Sequence, residues 1–430
     1  MGSARFLAVE LLERTTQDGS YSNLLLDKYL AGSDLSPMDK KLCSQLYYGV
    51  LERRLTLDHI LRSYSKKPPE KLDSVIRNIL HLGLYQLAYC EKIPDRAAVN
   101  ESVLLAKQFK KASASGFVNA VLRSFLRDEK QIQLPKDKWK AMEVQYSAPA
   151  ELIRTVVKEH GKEFAEAFFA DTLKTPPSTI RFNSLRGSMT EDETKELQAI
   201  PFKCLDNAYT ISCADVRQSR AFAEGRFHVQ DLSSQLCCAI LDPKPGDTVL
   251  DLCAAPGGKS FTIAERMENT GTVLAFDLHE HRAQLIRSGA QRLGISCITA
   301  RTGDAAVFDA DMPLADRILC DVPCSGFGVI RRKPEIKYKK LKEFEKLPEL
   351  QYAILENAAN YIKPGGTLVY STCTILRAEN RAVVEKFLQA HPDFELVPLT
   401  EFGFYEGYAT FSVLYDNCDG FFAARLRKRG

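Results

Sequence analysis

The first 127 residues repeat an apolar face every three or four positions. Phe6, Val9 and Leu12 open the pattern, which is expected to stop near Gly19. Ser36-Pro37 offers an N-cap with proline in the first turn, ahead of Leu42, Leu46 and Leu51. Pro68-Pro69 marks a loop before Leu72, Val75, Ile79, Leu82 and Leu87. Pro94-Asp95 precedes Ala98, Ser102 and Leu105, and Gly116 precedes Phe117, Val118, Val121, Leu122 and Phe125. This helical period, with no alternating stretch, predicts an all-α domain of five or more helices over residues 1–127.

The pattern then breaks. Residues 128–225 are punctuated by Pro135, Pro149, Pro176-Pro177 and Pro201. Between them the spacing predicts an amphipathic helix around Leu152 to Phe169 and a strand over Thr179 to Asn183. A helix from Glu191 to Ala199 and an extended Tyr209 to Ser212 follow, which together make a small α+β connector domain. Residues 226–430 alternate strands and helices. Strands are expected at Val249–Leu252, Thr272–Asp277, Cys297–Ala300, Arg317–Asp321, Gly366–Ser371 and Phe421–Leu426, with a helix at Glu280–Leu293. Regular alternation predicts an α/β, Rossmann-like domain with a mostly parallel sheet covered on both faces.

Length and composition narrow the class. At 430 residues the chain exceeds the roughly 250–300 at which single cores stop growing, so several domains are expected. No apolar run approaches the ~18 residues of a membrane span, and the first residues lack a charged-then-apolar signal pattern. A cytoplasmic monomer with no membrane partner is the expectation. The twelve cysteines have no C-x-x-C spacing and the seven histidines no ligand-like cluster, so no metal is expected. Cys43, Cys90, Cys237 and Cys238 fit small buried hydrophobes. The net charge of +3 hides an asymmetry: residues 1–127 carry 19 Lys and Arg against 13 Asp and Glu, a hint of a polyanion partner.

Candidate chemistry begins at Thr248-Val-Leu-Asp-Leu-Cys-Ala-Ala-Pro-Gly-Gly-Lys-Ser260, a strand, a turn of small residues and a helix start. Small residues let the backbone approach a ligand, and free amides at a helix start favour polar groups. Neither the G-x-G-x-x-G dinucleotide fingerprint nor the phosphate loop is present, which argues against a nicotinamide oxidoreductase. Ligands of an open sheet sit at the carboxyl ends of its strands. Asp251 lies in the first strand, Asp277 ends the second, Asp304 follows the third, Asp321 ends the fourth, and Thr372-Cys373 ends the fifth. Asp277 falls 19 residues after Gly258, near the interval at which a carboxylate reaches ribose hydroxyls. Any one of these aspartates would serve equally as a helix cap; the set in strand order predicts an adenosine-type cofactor. Two thiols, in Asp321-Val-Pro-Cys-Ser-Gly326 and Ser371-Thr-Cys-Thr374, terminate strands expected to be neighbours, where helix amides lower a thiol pKa.

These motifs resemble the S-adenosylmethionine-dependent RNA 5-methylcytosine methyltransferases. Leu82-Gly-Leu-Tyr-Gln-Leu87, Ala98-Val-Asn-Glu-Ser102 and Gly116-Phe-Val-Asn-Ala-Val-Leu-Arg123 resemble the NusB-like RNA-binding domain. Arg181-Phe-Asn183 is similar to part of the small RNA-contacting subdomain ahead of the catalytic core. The combination implies methylation of 16S rRNA, with another RNA such as tRNA, or a NusB-like assembly role, as alternatives. The resemblance implies Cys373 as nucleophile, Cys324 as the thiol assisting product release, and Asp321 on the cytosine edge. It implies cofactor contacts from Cys253, Ala254, Ala255, Pro256, Gly257, Gly258, Lys259, Asp277, Asp304 and Asp321. The residues alone do not rank the two thiols. Residues 331–346 hold eight Lys and Arg against three acids, so Lys259, Arg331, Arg332 and Lys333 are expected to contact RNA, with Phe327 and Tyr338 available for stacking.

Overall fold

The computed structural model describes residues 3–18, 22–203, 205–212, 216–412 and 418–430. It divides into two compact units. One comprises Met1–Thr175 and Ile330–Lys339, the other Pro176–Val329 and Lys340–Gly430. The stop expected at Gly19 falls outside the described residues.

The first unit is helical. Its described helices are α1 (Ala4–Asp18), α2 (Ser22–Ala31), α3 (Pro37–Glu52), α4 (Arg54–Tyr64), α5 (Ser74–Tyr89), α6 (Asp95–Gln108), α7 (Ser115–Arg127), α8 (Lys138–Tyr146), α9 (Ala150–His160) and α10 (Lys162–Asp171). Ser36 caps α3 by accepting from the Asp39 amide, and Asp73 caps α5 by accepting from Ile76, so two chain breaks expected from proline and polar residues are real helix starts. The apolar face converges on a core that includes Leu46, Leu57, Ile79, Leu82, Val118, Leu122 and Phe125. Gly83 sits where a Cβ would meet Leu122 and Ser102 at 2.8 Å, which explains the glycine within Leu82-Gly-Leu84. The single helix expected from Leu152 to Phe169 is two, because Gly161 takes φ +87° between α9 and α10. Cys43 and Cys90 are buried, as expected.

The second unit holds two sheets. The smaller contains β1 (Ser178–Phe182), β2 (Ile200–Pro201), β3 (Ala208–Ile211) and β4 (Phe227–Val229), antiparallel in the order β2-β3-β1-β4, with α11 (Glu191–Leu197) and α12 (Arg220–Ala223) beside it in sequence. Arg181-Phe-Asn183 is buried here. Arg181 pairs with Glu265 at 2.8 Å, and the Asn183 amide donates to the carbonyls of Gly225 and Leu293, so these residues clip the small sheet to its larger neighbour.

The larger sheet is built from β5 (Thr248–Asp251), β6 (Thr272–Asp277), β7 (Ile298–Thr302), β8 (Ala315–Asp321), β9 (Ile362–Thr372), β10 (Phe394–Leu396), β11 (Tyr408–Phe411) and β12 (Phe421–Lys428). Its order is β10-β12-β9-β8-β5-β6-β7, with β11 also on β12. Strands β5 to β9 are mutually parallel and β12 runs antiparallel to β9. The helices α13 (Leu232–Leu241), α14 (Gly258–Arg266), α15 (Glu280–Leu293), α16 (Leu347–Ala358) and α17 (Arg381–Ala390) complete it. Two apolar cores flank the sheet, one including Ile240, Val249, Ile263 and Ile286, the other Leu250, Ile318, Leu355 and Phe387. Order reverses between β5 and β8, which places a crevice at the carboxyl ends of those two strands. Among the described residues no helix is long and apolar enough to cross a membrane, and no cluster of His, Cys, Asp or Glu could hold a metal ion.

Candidate active site

Small residues shape the turn after β5. Helix α14 starts at Gly258 with Gly257 as its cap, at φ +107°. A Cβ at Gly257 would meet the Phe261 ring at 2.4 Å, so backbone and space both demand glycine. Ala254 and Ala255 are buried, Cys253 is half-buried and Pro256 exposed. The Ala254 amide donates to the Phe276 carbonyl at 2.7 Å, and Arg282 donates to the Ala255 carbonyl at 2.9 Å, which locks the turn onto β6 and α15.

Against this turn lies a cavity of about 210 Å³ walled in part by Gln230, Asp251, Cys253, Gly258, Lys259 and Asp321. Asp251 Oδ2 accepts from Ser260 at 2.6 Å, while Asp251 Oδ1 and Gln230 Nε2 are buried with no partner. Burial raises Asp251 to about 7, reinforced by the Asp321 charge and opposed by the Ser260 hydroxyl. One acceptor and one donor are thus left for a bound polar group. A second cavity of about 210 Å³ lies beyond β6 and β7, a largely apolar slot whose lining includes Phe276, Gly303, Asp304, Phe308 and Tyr361. Asp304 is exposed at its mouth and accepts from the Ala306 amide. Asp277 is buried, accepts from the His279 amide and pairs with Arg282 at 3.1 Å. A slot for a planar ring beside a polar cradle fits an adenosine-bearing cofactor. Sequence reasoning passed over Gln230; its only signal was a place just before α13.

The two thiols meet. Parallel pairing sets Asp321 of β8 opposite Ser371 of β9, and the loops beyond bring Cys324 Sγ to 3.1 Å from Cys373 Sγ. The Cys373 amide also donates to Cys324 Sγ at 3.3 Å, and the Gly328 amide to the Cys373 carbonyl at 3.0 Å. The hydrogen bond with Cys373, then burial, raises the Cys324 thiol well above its ordinary value. Nearby, Lys259 Nζ lies 2.8 Å from Asp321 Oδ2, and the Ser371 hydroxyl donates to Asp321 Oδ1 at 2.8 Å. Burial alone would lower the Lys259 ammonium; the Asp321 charge outweighs it and holds the lysine protonated. One cluster therefore contains two sulfurs, a cation and a carboxylate.

The basic run divides differently from its expected role. Residues 330–339 belong to the helical unit. Arg331 is buried and pairs with Asp171 at 3.0 Å, so it is a structural cation rather than an exposed contact for RNA. Glu335 accepts from the Ser22 amide and hydroxyl at the start of α2, and buried Lys337 donates to the Glu52 carbonyl at the end of α3 at 2.7 Å. Each charge has the sign that the helix end favours. Tyr338 donates to the Leu51 carbonyl at 2.7 Å, and Phe327, in the sheet unit, is buried against Phe344, so neither ring stands open for stacking. Arg332 and Lys333 are half-exposed. A sequence reading counts charges without seeing partners more than a hundred residues away.

Comparison with known proteins is consistent along the whole chain. Residues 238–427 match the family model "16S rRNA methyltransferase RsmB/F", and residues 2–127 match the NusB family. The "Probable ribosomal RNA small subunit methyltransferase B" of Bacillus subtilis is 39% identical, covering 100% of this chain and 99% of the relative. The protein of the same name from Synechocystis is 36% identical, with 100% of both covered. Among solved structures, PH0851 superposes with a TM-score of 0.84 at 26% identity, covering 100% of this chain and 99% of that one. NSun6 from Pyrococcus horikoshii, solved with SFG, shares the fold over 66% of this chain and 98% of its own, at a TM-score of 0.59 and 22% identity.

Proposed function

Because this chain belongs to the RsmB/F family of 16S rRNA methyltransferases, with a NusB-family domain at its front, we propose that it methylates C5 of a cytosine in 16S rRNA through a covalent cysteine adduct. The observation that carries this reading is the 3.1 Å contact between Cys324 and Cys373 beside the cavity of the Gly257-Gly258 turn. S-adenosylmethionine would be held by Cys253 to Lys259, Asp277, Asp304 and Asp321, and would supply an electrophilic methyl group.

The chain's own residues do the rest. Cytosine C5 is too weak a nucleophile unaided, so the Cys373 thiolate adds to C6 and turns C5 into an enamine carbon, which takes the methyl group. Asp321 accepts from the exocyclic amino group of the extruded base. Both its oxygens already accept hydrogen bonds, and as a carboxylate it has no proton to give; the Lys259 ammonium is the donor for charge developing on N3. A base then removes the C5 proton, the Cys373–C6 bond breaks, and the C5–C6 double bond returns. Cys324, whose sulfur lies 3.1 Å from that of Cys373, assists that elimination. The base reaches the pocket only when unstacked from its neighbours. Residues 1–127 select the rRNA, 128–225 support the substrate strand together with Arg332 and Lys333, and 226–430 catalyse, in a cytoplasmic monomer.

Cys373→Ala is expected to abolish transfer, and Cys324→Ala to accumulate a protein–RNA complex that survives a denaturing gel. A crosslink formed by Cys373→Ala and absent in Cys324→Ala would reverse the roles. Bisulfite mapping of RNA modified by the purified protein tests the substrate; a modified tRNA with unmodified 16S rRNA would overturn it.

A further inference from the structure

Two sulfurs at 3.1 Å on separate loops need something to hold the loops in register. Both residues flanking each thiol are tied to one buried cluster. The Ser325 amide donates to Glu379 Oε2 at 2.9 Å, and Gln351 Nε2 bridges the Pro323 carbonyl and that same Glu379 oxygen, each at 2.9 Å. Across the gap, Thr372 Oγ1 donates to Asn380 Oδ1 at 2.5 Å, and Asn380 Nδ2 donates to the Thr374 carbonyl at 2.9 Å. The Ser325 and Thr374 hydroxyls meet at 2.8 Å, and Tyr370 donates to the Glu379 carbonyl. Glu379 is 1% exposed, and its Oε1 has no partner. A carboxylate buried this deeply, held by two amide N–H groups rather than by an arginine or lysine, is costly to keep unless it does something an apolar residue could not.

The geometry points to Glu379 as a positioning residue for the methyl-transfer reaction: through Ser325 and Gln351 it fixes the Cys324 loop, and through the adjacent Asn380 the same turn fixes Cys373. This assignment rests on the two-thiol reading above. Oε2 accepts two N–H groups at once, from a backbone amide and a side-chain amide, and the negative charge, which an amide there would lack, helps raise the neighbouring Cys324 thiol.

Two full-length variants test it. In Glu379→Leu both hydrogen bonds to the Cys324 side of the cluster are lost, the loop shifts, and kcat falls about 100-fold, the loss expected for a misplacement near 1 Å, with the KM values for RNA and methyl donor unchanged. Loss of the charge moves the pH profile of Cys324 alkylation, followed by peptide mass spectrometry, to lower pH. Glu379→Asp keeps the charge and withdraws it from Ser325, so kcat falls while the Cys324 profile stays where it is in the wild type. Wild-type kcat in Glu379→Leu would overturn the assignment. So would a fall in kcat that tracks lost melting temperature, with both thiols alkylating faster and no shift in the Cys324 profile. If the wild type itself methylated no cytosine at C5, the functional reading would fail instead, and the alkylation profiles would still decide what Glu379 holds.

Discussion

Gly328 offers a severe test of the two-thiol geometry. It lies between the loops: its amide donates to the Cys373 carbonyl, and its own carbonyl accepts from the Gly420 amide. A Cβ built there stands 1.8 Å from the Gly420 carbonyl oxygen, which is 1.6 Å short of the 3.4 Å where ordinary van der Waals contact begins. The Cys373 carbonyl is also within 2.8 Å, and all these atoms are backbone, so no side chain can swing aside. Gly328→Ala must therefore part this segment from Gly420 by more than an ångström and from the Cys373 carbonyl by about 0.6 Å, which disturbs the contact between the sulfurs. Overpacking of this kind costs about 1–3 kcal/mol of stability, which leaves a folded protein. Misplacement on the ångström scale costs about 100-fold in rate, or about 2.7 kcal/mol of barrier. The assay is transfer of a labelled methyl group to RNA, with melting temperature measured alongside. Gly116→Ala is the control, because a Cβ there meets nothing within 4 Å. A folded Gly328→Ala protein with wild-type kcat would refute the argument that catalysis needs these loops in contact.

Three further outcomes are expected. Arg331→Ala should lower stability to denaturant by up to about 3 kcal/mol, because it leaves the buried Asp171 carboxylate with only the exposed Lys174 at 3.7 Å, while the salt dependence of RNA binding stays unchanged; a shallower slope would restore Arg331 as a phosphate contact. Gly257→Ala should weaken binding of S-adenosylmethionine, read by calorimetry, since its methyl group would collide with Phe261; unaltered affinity would detach the turn from the cofactor. Burial raises Asp251 from 3.8 to about 7, so the folded protein holds that proton more tightly than the unfolded chain. The resulting stability is complete below pH 3.8 and drains as pH rises to about 7, and Asp251→Asn should flatten that part of a denaturation-midpoint profile. An identical slope in the variant would place the proton elsewhere.

Local signals in the chain were read well where local rules govern. The strand over Thr272–Asp277 and the helix over Glu280–Leu293 occupy the expected residues, because β-branched and apolar runs bounded by turn residues leave little choice. The cofactor turn was legible for the same reason: only small residues fit it. The break at Gly161 was missed, since the apolar period runs through it and one glycine was weighed too lightly. Short β10 and β11 were missed because three or four residues carry no period. Glu379 and Gln351 were invisible, as their meaning lies in partners brought together by the sheet. Arg331, Lys337 and Tyr338 differ from expectation for the converse reason: they look available for RNA until α3 and α10 are folded around them.

The route of the chain through Ile330–Lys339 sets a timetable for synthesis. The helical unit is translated first, yet its last ten residues emerge only after roughly 155 more have been made, on the order of 10 seconds at typical elongation rates. Until then the start of α2 waits for Glu335, the end of α3 for Lys337 and the Asp171 carboxylate for Arg331. A nascent chain stalled before Ile330 would carry a front half unfinished in its charges, and a catalytic fragment expressed alone would trail a ten-residue tongue with no berth.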